Sequence, residues 1–332
     1  MHQFEFSRAS DAAAAVRAGA ASQTAQQGAT VRFVAGGTTL VDLLKLGVEQ
    51  PDRIVDINRL GLDEMSVTPE GGLRVGATVR NTDLARDPRV AANYPALSQA
   101  ILAGASTQLR NAATTAGNLL QRTRCVYFRD VASPCNKRAP GSGCPAIAGS
   151  NRRMAILGVS DACIASHPSD MAVAMTAYDA MVHVEGVSGA RQIPLTGFYR
   201  LPGDRPDLEN LLEPGDLITA VTLPPRPAGE RAGYLKLRDR ASYEFALVSA
   251  AAALTLVDGV ISGARLALGG VGVRPWRVLE AERALEGQPP GEAAFRAAAD
   301  IALEGARPQT ENGFKVELAR RCVVQILTQT AG

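Results

Sequence analysis

Histidine is scarce in this sequence. Three occur among 332 residues, at positions 2, 167 and 183, and none lies in an evident catalytic motif. Excess charge of one sign is missing too. Lysine and arginine total 35 against 33 acidic residues, a formal +2, so no concentrated basic face points to nucleic acid or a membrane surface. No run approaches the ~18 unbroken apolar residues of a membrane-crossing helix. The alanine-rich stretch from Ala246 to Leu256 is too short, and Asp258-Gly259 ends it. After Met1-His2-Gln3-Phe4-Glu5-Phe6 no apolar segment follows, so no cleaved secretory signal is expected. These absences lead to the expectation of a soluble chain that folds in the cytoplasm, without a membrane span and without a nucleic-acid partner. No internal repeat is visible.

What is present is an ordinary globular composition, 46% hydrophobic and 20% charged. A chain of this length predicts about two domains, each able to bury a core without disulfide staples. The first part reads as α/β. A helix over residues 11–21 precedes a strand at Val31–Ala35, a helix at Leu40–Lys45 and a strand at Arg53–Ile57, an order that suggests a crossover. Further on, a strand at Leu73–Ala77, helices at Asp83–Arg86, Pro95–Ala103 and Asp170–Ala180, and a strand at Met181–Glu185 are expected. From 122 to 167 periodicity is lost, and a loop of that length is usually functional. Pro224-Pro225-Arg226-Pro227 marks a boundary, giving domains 1–223 and 224–332. Beyond it, three antiparallel strands (Gly233–Leu237, Ala246–Val257, Ile261–Gly269) and three helices (Val278–Leu285, Ala293–Ile301, Glu317–Thr328) form a small α+β unit.

Two polar loops draw attention. Val34-Ala35-Gly36-Gly37-Thr38-Thr39-Leu40 places two glycines and two threonines directly after a strand. Glycine lets backbone N–H groups approach a phosphate, and a following helix adds its positive dipole end. The pattern lacks the third glycine of G-x-G-x-x-G, and plain turn chemistry also accounts for it. Thr114-Thr115-Ala116-Gly117-Asn118 offers hydroxyls, an amide and a bare glycine for a second stretch of a dinucleotide, or else forms a turn between two short strands.

Four of the five cysteines, Cys125, Cys135, Cys144 and Cys163, crowd into the aperiodic segment with C-x9-C-x8-C-x18-C spacing. The C-x2-C pairs of zinc ribbons and bacterial ferredoxins are absent, so a whole loop would have to wrap a metal. Lys137 and Arg138 would offset thiolate charge, and Gly141 and Gly143 would let amides reach sulfur. Four readings stay open on spacing alone: an iron–sulfur cluster, structural zinc, buried free thiols and disulfides. Cys322, among Val323, Val324 and Ile326, reads as core.

The order Ala35-Gly36-Gly37-Thr38-Thr39-Leu40, then Thr114-Thr115-Ala116-Gly117-Asn118-Leu119, then Pro168-Ser169-Asp170-Met171-Ala172 resembles the FAD-binding subunits of the xanthine dehydrogenase family of molybdenum hydroxylases, over nearly the whole chain. The loop from Arg124-Cys125-Val126-Tyr127-Phe128 through Pro134-Cys135-Asn136-Lys137-Arg138 to Gly143-Cys144 is similar to that of the heterotrimeric bacterial aldehyde oxidoreductases of the periplasmic PaoABC type. The resemblance implies an α+β fold: a two-part FAD-binding domain of the vanillyl-alcohol-oxidase (PCMH) type, then a C-terminal domain of the CO-dehydrogenase flavoprotein type. It implies that Val34, Ala35, Gly36, Gly37, Thr38, Thr39 and Leu40 wrap the FAD pyrophosphate. Thr114, Gly117 and Asn118 would contact the cofactor from the second loop, Asp170 the flavin nucleotide, and Lys236 the neighbourhood of the flavin. Leu102 and Ile218 align with apolar positions at the cofactor. Without the family, Asp170 reads as a helix N-cap and Lys236 as a solvated strand-end charge. Cys125, Cys135, Cys144 and Cys163 would hold a 4Fe–4S cluster.

No catalytic residue is implied in this chain. Substrate oxidation would occur in a molybdenum-cofactor large subunit, and a 2Fe–2S small subunit would pass electrons through FAD here to an external acceptor. Export folded with a signal-bearing partner would make the site periplasmic. A standalone FAD-dependent oxidase and a non-enzymatic zinc-bearing scaffold are the alternatives.

Overall fold

A computed structural model describes all of residues 1–332, and its three sheets follow one another along the chain. Strands β1 (Glu5–Arg8), β2 (Val31–Val34) and β3 (Arg53–Asp56) form a parallel sheet in the order β1-β3-β2. The helix Ala12–Gly19 joins β1 to β2 and starts at Asp11, whose carboxylate accepts from the Ala14 amide at 2.7 Å. The helix Leu40–Lys45 makes the expected crossover from β2 to β3. Strand β1 escaped the sequence reading because its four residues, largely exposed, carry no apolar alternation.

The second sheet is antiparallel. It comprises β4 (Met65–Val67), β5 (Leu73–Gly76), β6 (Met181–Gly186), β7 (Gly189–Pro194) and β8 (Leu217–Leu223), in the order β4-β5-β8-β6-β7. It packs with the helices Pro95–Ala103 and Asp170–Ala177 around a core of 34 buried residues. All eight residues of Asp170–Ala177 are buried, as an all-round small and apolar helix requires.

The third sheet runs β12-β11-β10-β9, from β9 (Arg231–Leu237), β10 (Val248–Val257), β11 (Val260–Gly269) and β12 (Trp276–Arg277). The helices Glu292–Ala302 and Phe314–Ala331 cover one face and build a second core of 23 buried residues, Cys322 among them. The alanine run of β10 now has a physical reason. Ala251 and Ala253 enter the first core, Ala250 and Ala252 the second, so the strand is buried on both faces. No helix is long and apolar enough to cross a membrane.

Residues 122–167 hold one short helix, Val126–Arg129, and a core of their own with Leu43, Val48, Phe128 and Met154. A stretch within this segment leaves that core for the third sheet, and Cys163, Ile164 and Ala165 return to it. Ile156 and Leu157 join the second core, and the Ile156 amide donates to the Val271 carbonyl at 2.8 Å.

Candidate functional site: two joined cavities and a cysteine chamber

Strand β2 ends at Val34 and opens into Gly36-Gly37. A Cβ on Gly36 would collide with the Ala112 carbonyl, so only glycine lets the two polar loops lie this close. Gly37 takes φ +72°, in the left-handed region that favours glycine. Asn58 and Arg80 fix the junction. The Asn58 amide donates to the Ala35 carbonyl at 3.0 Å, and Arg80 donates to the Ala112 carbonyl at 2.6 Å and to Asn58 at 3.1 Å. The second loop is a helix start rather than a turn between strands. Thr114 caps the helix Thr115–Leu119, its Oγ1 accepting from the Gly117 amide at 3.3 Å.

Two cavities, of about 200 and 450 Å³, meet at these loops and share Thr38, Thr39 and Gly117 as walls. Together they fall in the ~300–1,000 Å³ range of small-molecule sites. The first runs over Val34–Leu40, Thr114 and Ile218 toward Arg32, Glu49 and Arg122. The second runs past Asn118 to Asp170, Lys236, Tyr243 and Phe245. Thirteen of the fourteen expected cofactor positions therefore border this joined space. Leu102 borders neither cavity and is 44% exposed on its helix. No histidine borders either cavity.

Asp170 and Lys236 are not what they look like in isolation. Ser169 takes the N-cap role, accepting from the Ala172 amide at 3.0 Å, and its hydroxyl donates to Asn118 Oδ1 at 2.7 Å. Asp170, in the first helical turn, accepts from Lys236 Nζ at 2.7 Å and from the Tyr234 hydroxyl at 2.5 Å. The Lys236 side chain is 3% exposed, so it is a buried partner rather than a solvated charge. Burial and the adjacent Asp170 carboxylate push the Tyr234 phenol well above its ordinary range.

Sequence reading missed Arg122, Glu49 and Arg124. Arg122 joins Glu49 (2.5 Å) and Glu209, and Glu209 joins Lys137 (3.0 Å), in a largely buried line of alternating charge. Burial alone would raise the Glu209 carboxyl, but Arg122 and Lys137 hold it down at about 2. Such partners lie 72 to 87 positions apart and leave no periodic trace.

The four clustered cysteines line one chamber with Phe128, Pro134 and Asn136. All five cysteines are free, which answers the disulfide reading. No group of His, Cys, Asp or Glu side chains converges tightly enough for a single metal ion. A zinc ion, with Zn–S near ~2.3 Å, demands such convergence. Nearby backbone amides, of Tyr127 and Phe128 at Cys125, of Ala146, Ile147 and Ile164 at Cys144, and of Ala165 at Cys163, favour the thiolates against burial. Burial pushes the Cys125 thiol up to about 11 and raises Cys144 and Cys163 as well, so thiolates here require a strong cationic partner.

Fold and site define a two-module protein with an extended cleft between two glycine-bearing backbone loops. Residues 2–226 match the model of the FAD binding domain in molybdopterin dehydrogenase, and residues 233–330 match the CO dehydrogenase flavoprotein C-terminal domain. The chain belongs to this family of FAD-binding subunits of molybdenum hydroxylases. It is 53% identical to the aldehyde oxidoreductase FAD-binding subunit PaoB of Escherichia coli, over 93% of this chain and 94% of that protein. It is 27% identical to the glyceraldehyde dehydrogenase medium chain of Sulfolobus acidocaldarius, over 90% and 89%. In fold it is similar to the reconstituted CO dehydrogenase from Oligotropha carboxidovorans, with a TM-score of 0.77 at 22% identity over 99% of this chain and 98% of that one.

Proposed function

We propose that the chain is the FAD subunit of a molybdenum-containing aldehyde oxidoreductase, assembled with a molybdenum-cofactor large subunit and a 2Fe–2S small subunit. We further propose that Cys125, Cys135, Cys144 and Cys163 hold a 4Fe–4S cluster. One observation carries the flavin part: two cavities join at the paired loops and share Thr38, Thr39 and Gly117, a shape suited to a long dinucleotide gripped at its middle. The aldehyde class rests on the likeness to the Escherichia coli subunit.

Bound FAD supplies the redox chemistry, exchanging electrons between the partner carriers and an external acceptor. The residues of this chain bind and orient it. Amides of Gly36 and Gly37 and the hydroxyls of Thr38 and Thr39 would hold the diphosphate, with Thr114, Gly117 and Asn118 from the second loop. Asp170 and Lys236, locked to each other and to Tyr234, offer a fixed polar edge to the ring system in the second cavity. Amide donors around the cysteines stabilise the negative charge of a cluster.

The purified native assembly is expected to contain both partner subunits and to show flavin bands over a broad iron–sulfur absorbance. Cys135→Ser is expected to lose the iron and absorbance of the cluster while keeping flavin. A colourless wild-type chain sinks the first proposal, and unchanged iron in Cys135→Ser sinks the second.

A further inference from the structure

We propose that Lys137 sets the reduction potential of the metal centre in the cysteine chamber, its ammonium group presented by Glu209 and acting as a fixed positive charge. This deepens the cluster reading above and rests on it.

Of the 13 residues that line the chamber, Lys137 is the only one with a basic side chain, and no aspartate or glutamate borders it. The Lys137 side chain is 11% exposed, so water screens its charge poorly. Nζ donates to the Pro206 carbonyl at 2.9 Å and pairs with the Glu209 carboxylate at 3.0 Å. These two contacts fix the ammonium at the chamber wall. Burial raises the Cys163 thiol, and the Lys137 charge is the leading influence against that rise.

In sequence, Lys137 and Arg138 look interchangeable as sources of positive charge. The fold separates them. Arg138 donates to the carbonyls of Tyr127 (3.0 Å), Phe128 (2.8 Å) and Ser133, and it does not border the chamber. It braces the loop, and Lys137 supplies the field. Glu209 cancels that field only in part, because Arg122 shares the same carboxylate. A cation in the wall favours the more negative, reduced form of a metal centre and so raises its potential.

The test is a redox titration of the intact complex, followed by electron paramagnetic resonance, with the 2Fe–2S signals of the small subunit as internal reference. Lys137→Met keeps most of the stem and removes the charge. It is expected to retain iron and to make one-electron reduction of the cluster about tenfold less favourable, a midpoint lower by about 59 mV. The 2Fe–2S midpoints stay where they are. Lys137→Arg keeps the charge and is expected to restore most of the shift. Glu209→Gln removes the counter-charge and must move the midpoint upward. A loosened loop does not produce shifts of opposite sign in the two variants. Glu209→Gln also decides the matter where Lys137→Met does not hold iron. A wild-type midpoint in Lys137→Met, or a midpoint in Glu209→Gln that fails to rise, overturns the assignment. A wild-type complex whose iron does not exceed that of the small subunit overturns the cluster reading itself, and this one with it.

Discussion

Lys315 shows what single side chains hold together here. It is fully buried, and its Nζ donates to the carbonyls of Arg153, Met154 and Gly270 at 3.1, 2.9 and 2.9 Å. Three donors meet three acceptors, which suits an ammonium group. Lys315→Met strands the Gly270 carbonyl, while Ser166 and Asn312 still serve those of Arg153 and Met154, and is expected to destabilise the chain by about 1–3 kcal/mol, read from urea unfolding. Glu209 makes a second residue-scale prediction. Its carboxyl is held at about 2 in the fold, below its ordinary 4.5. The stability it contributes is complete above pH 4.5 and is lost as pH falls toward 2. Acid unfolding curves should show that loss in wild type, and Glu209→Gln should lack that part of the slope. Residue-level chemistry was unevenly legible. The glycine–threonine loop announces itself because small residues at a strand end are a local signal. The Lys236–Asp170 pair does not, since its members are 66 positions apart and only folding joins them.

Among elements, the loop of residues 238–247 between β9 and β10 borders the second cavity with Tyr243 and Phe245. The cysteine-bearing segment ties it down. Arg152 pairs with Asp239 at 2.8 Å, Arg153 with Glu244 at 3.0 Å, and Arg124 lies 5.0 Å from the Phe245 ring centre. Exposed pairs are worth ~0.2–1 kcal/mol each, so Arg153→Ala should hardly change the melting temperature. Local release should still appear as faster tryptic cleavage at Arg238 and Arg240, slowed again by bound flavin; identical digestion rates would count against the tether. Elements of eight residues or more were largely readable from periodicity. The helix Thr115–Leu119 was not, because five residues complete barely more than one turn. Strand β8 also passed unmarked, although its Leu217, Ile218, Ala220 and Val221 are buried, because its pattern is a buried run rather than strict alternation.

In the molecule as a whole, no core belongs to one stretch of sequence. Ile156 and Leu157 complete the C-terminal core, Ala251 and Ala253 complete the N-terminal one, and Arg277 reaches back to the Thr176 carbonyl at 2.9 Å. A chain cut after Leu223 loses the partners of Asp170 and of the Ile156–Leu157 segment. It is expected to bind hydrophobic dye and to melt roughly 10 °C or more below the full chain, at ~2–4 °C per kcal/mol. A fragment as stable as the parent would contradict this shared construction. Composition at the proline-rich boundary hides such interleaving, because sequence reveals where a linker runs but not which earlier segment returns to pack beyond it.

The return of Met154–Leu157 into the third sheet also sets an order of events at the ribosome. Those residues emerge long before Val271, Gly272 and Lys315 exist to receive them. The thiol-bearing segment thus stays unlatched until synthesis is nearly finished. On the proposal that this segment takes iron, delivery would meet an open door during translation and a closed one after the last helix docks.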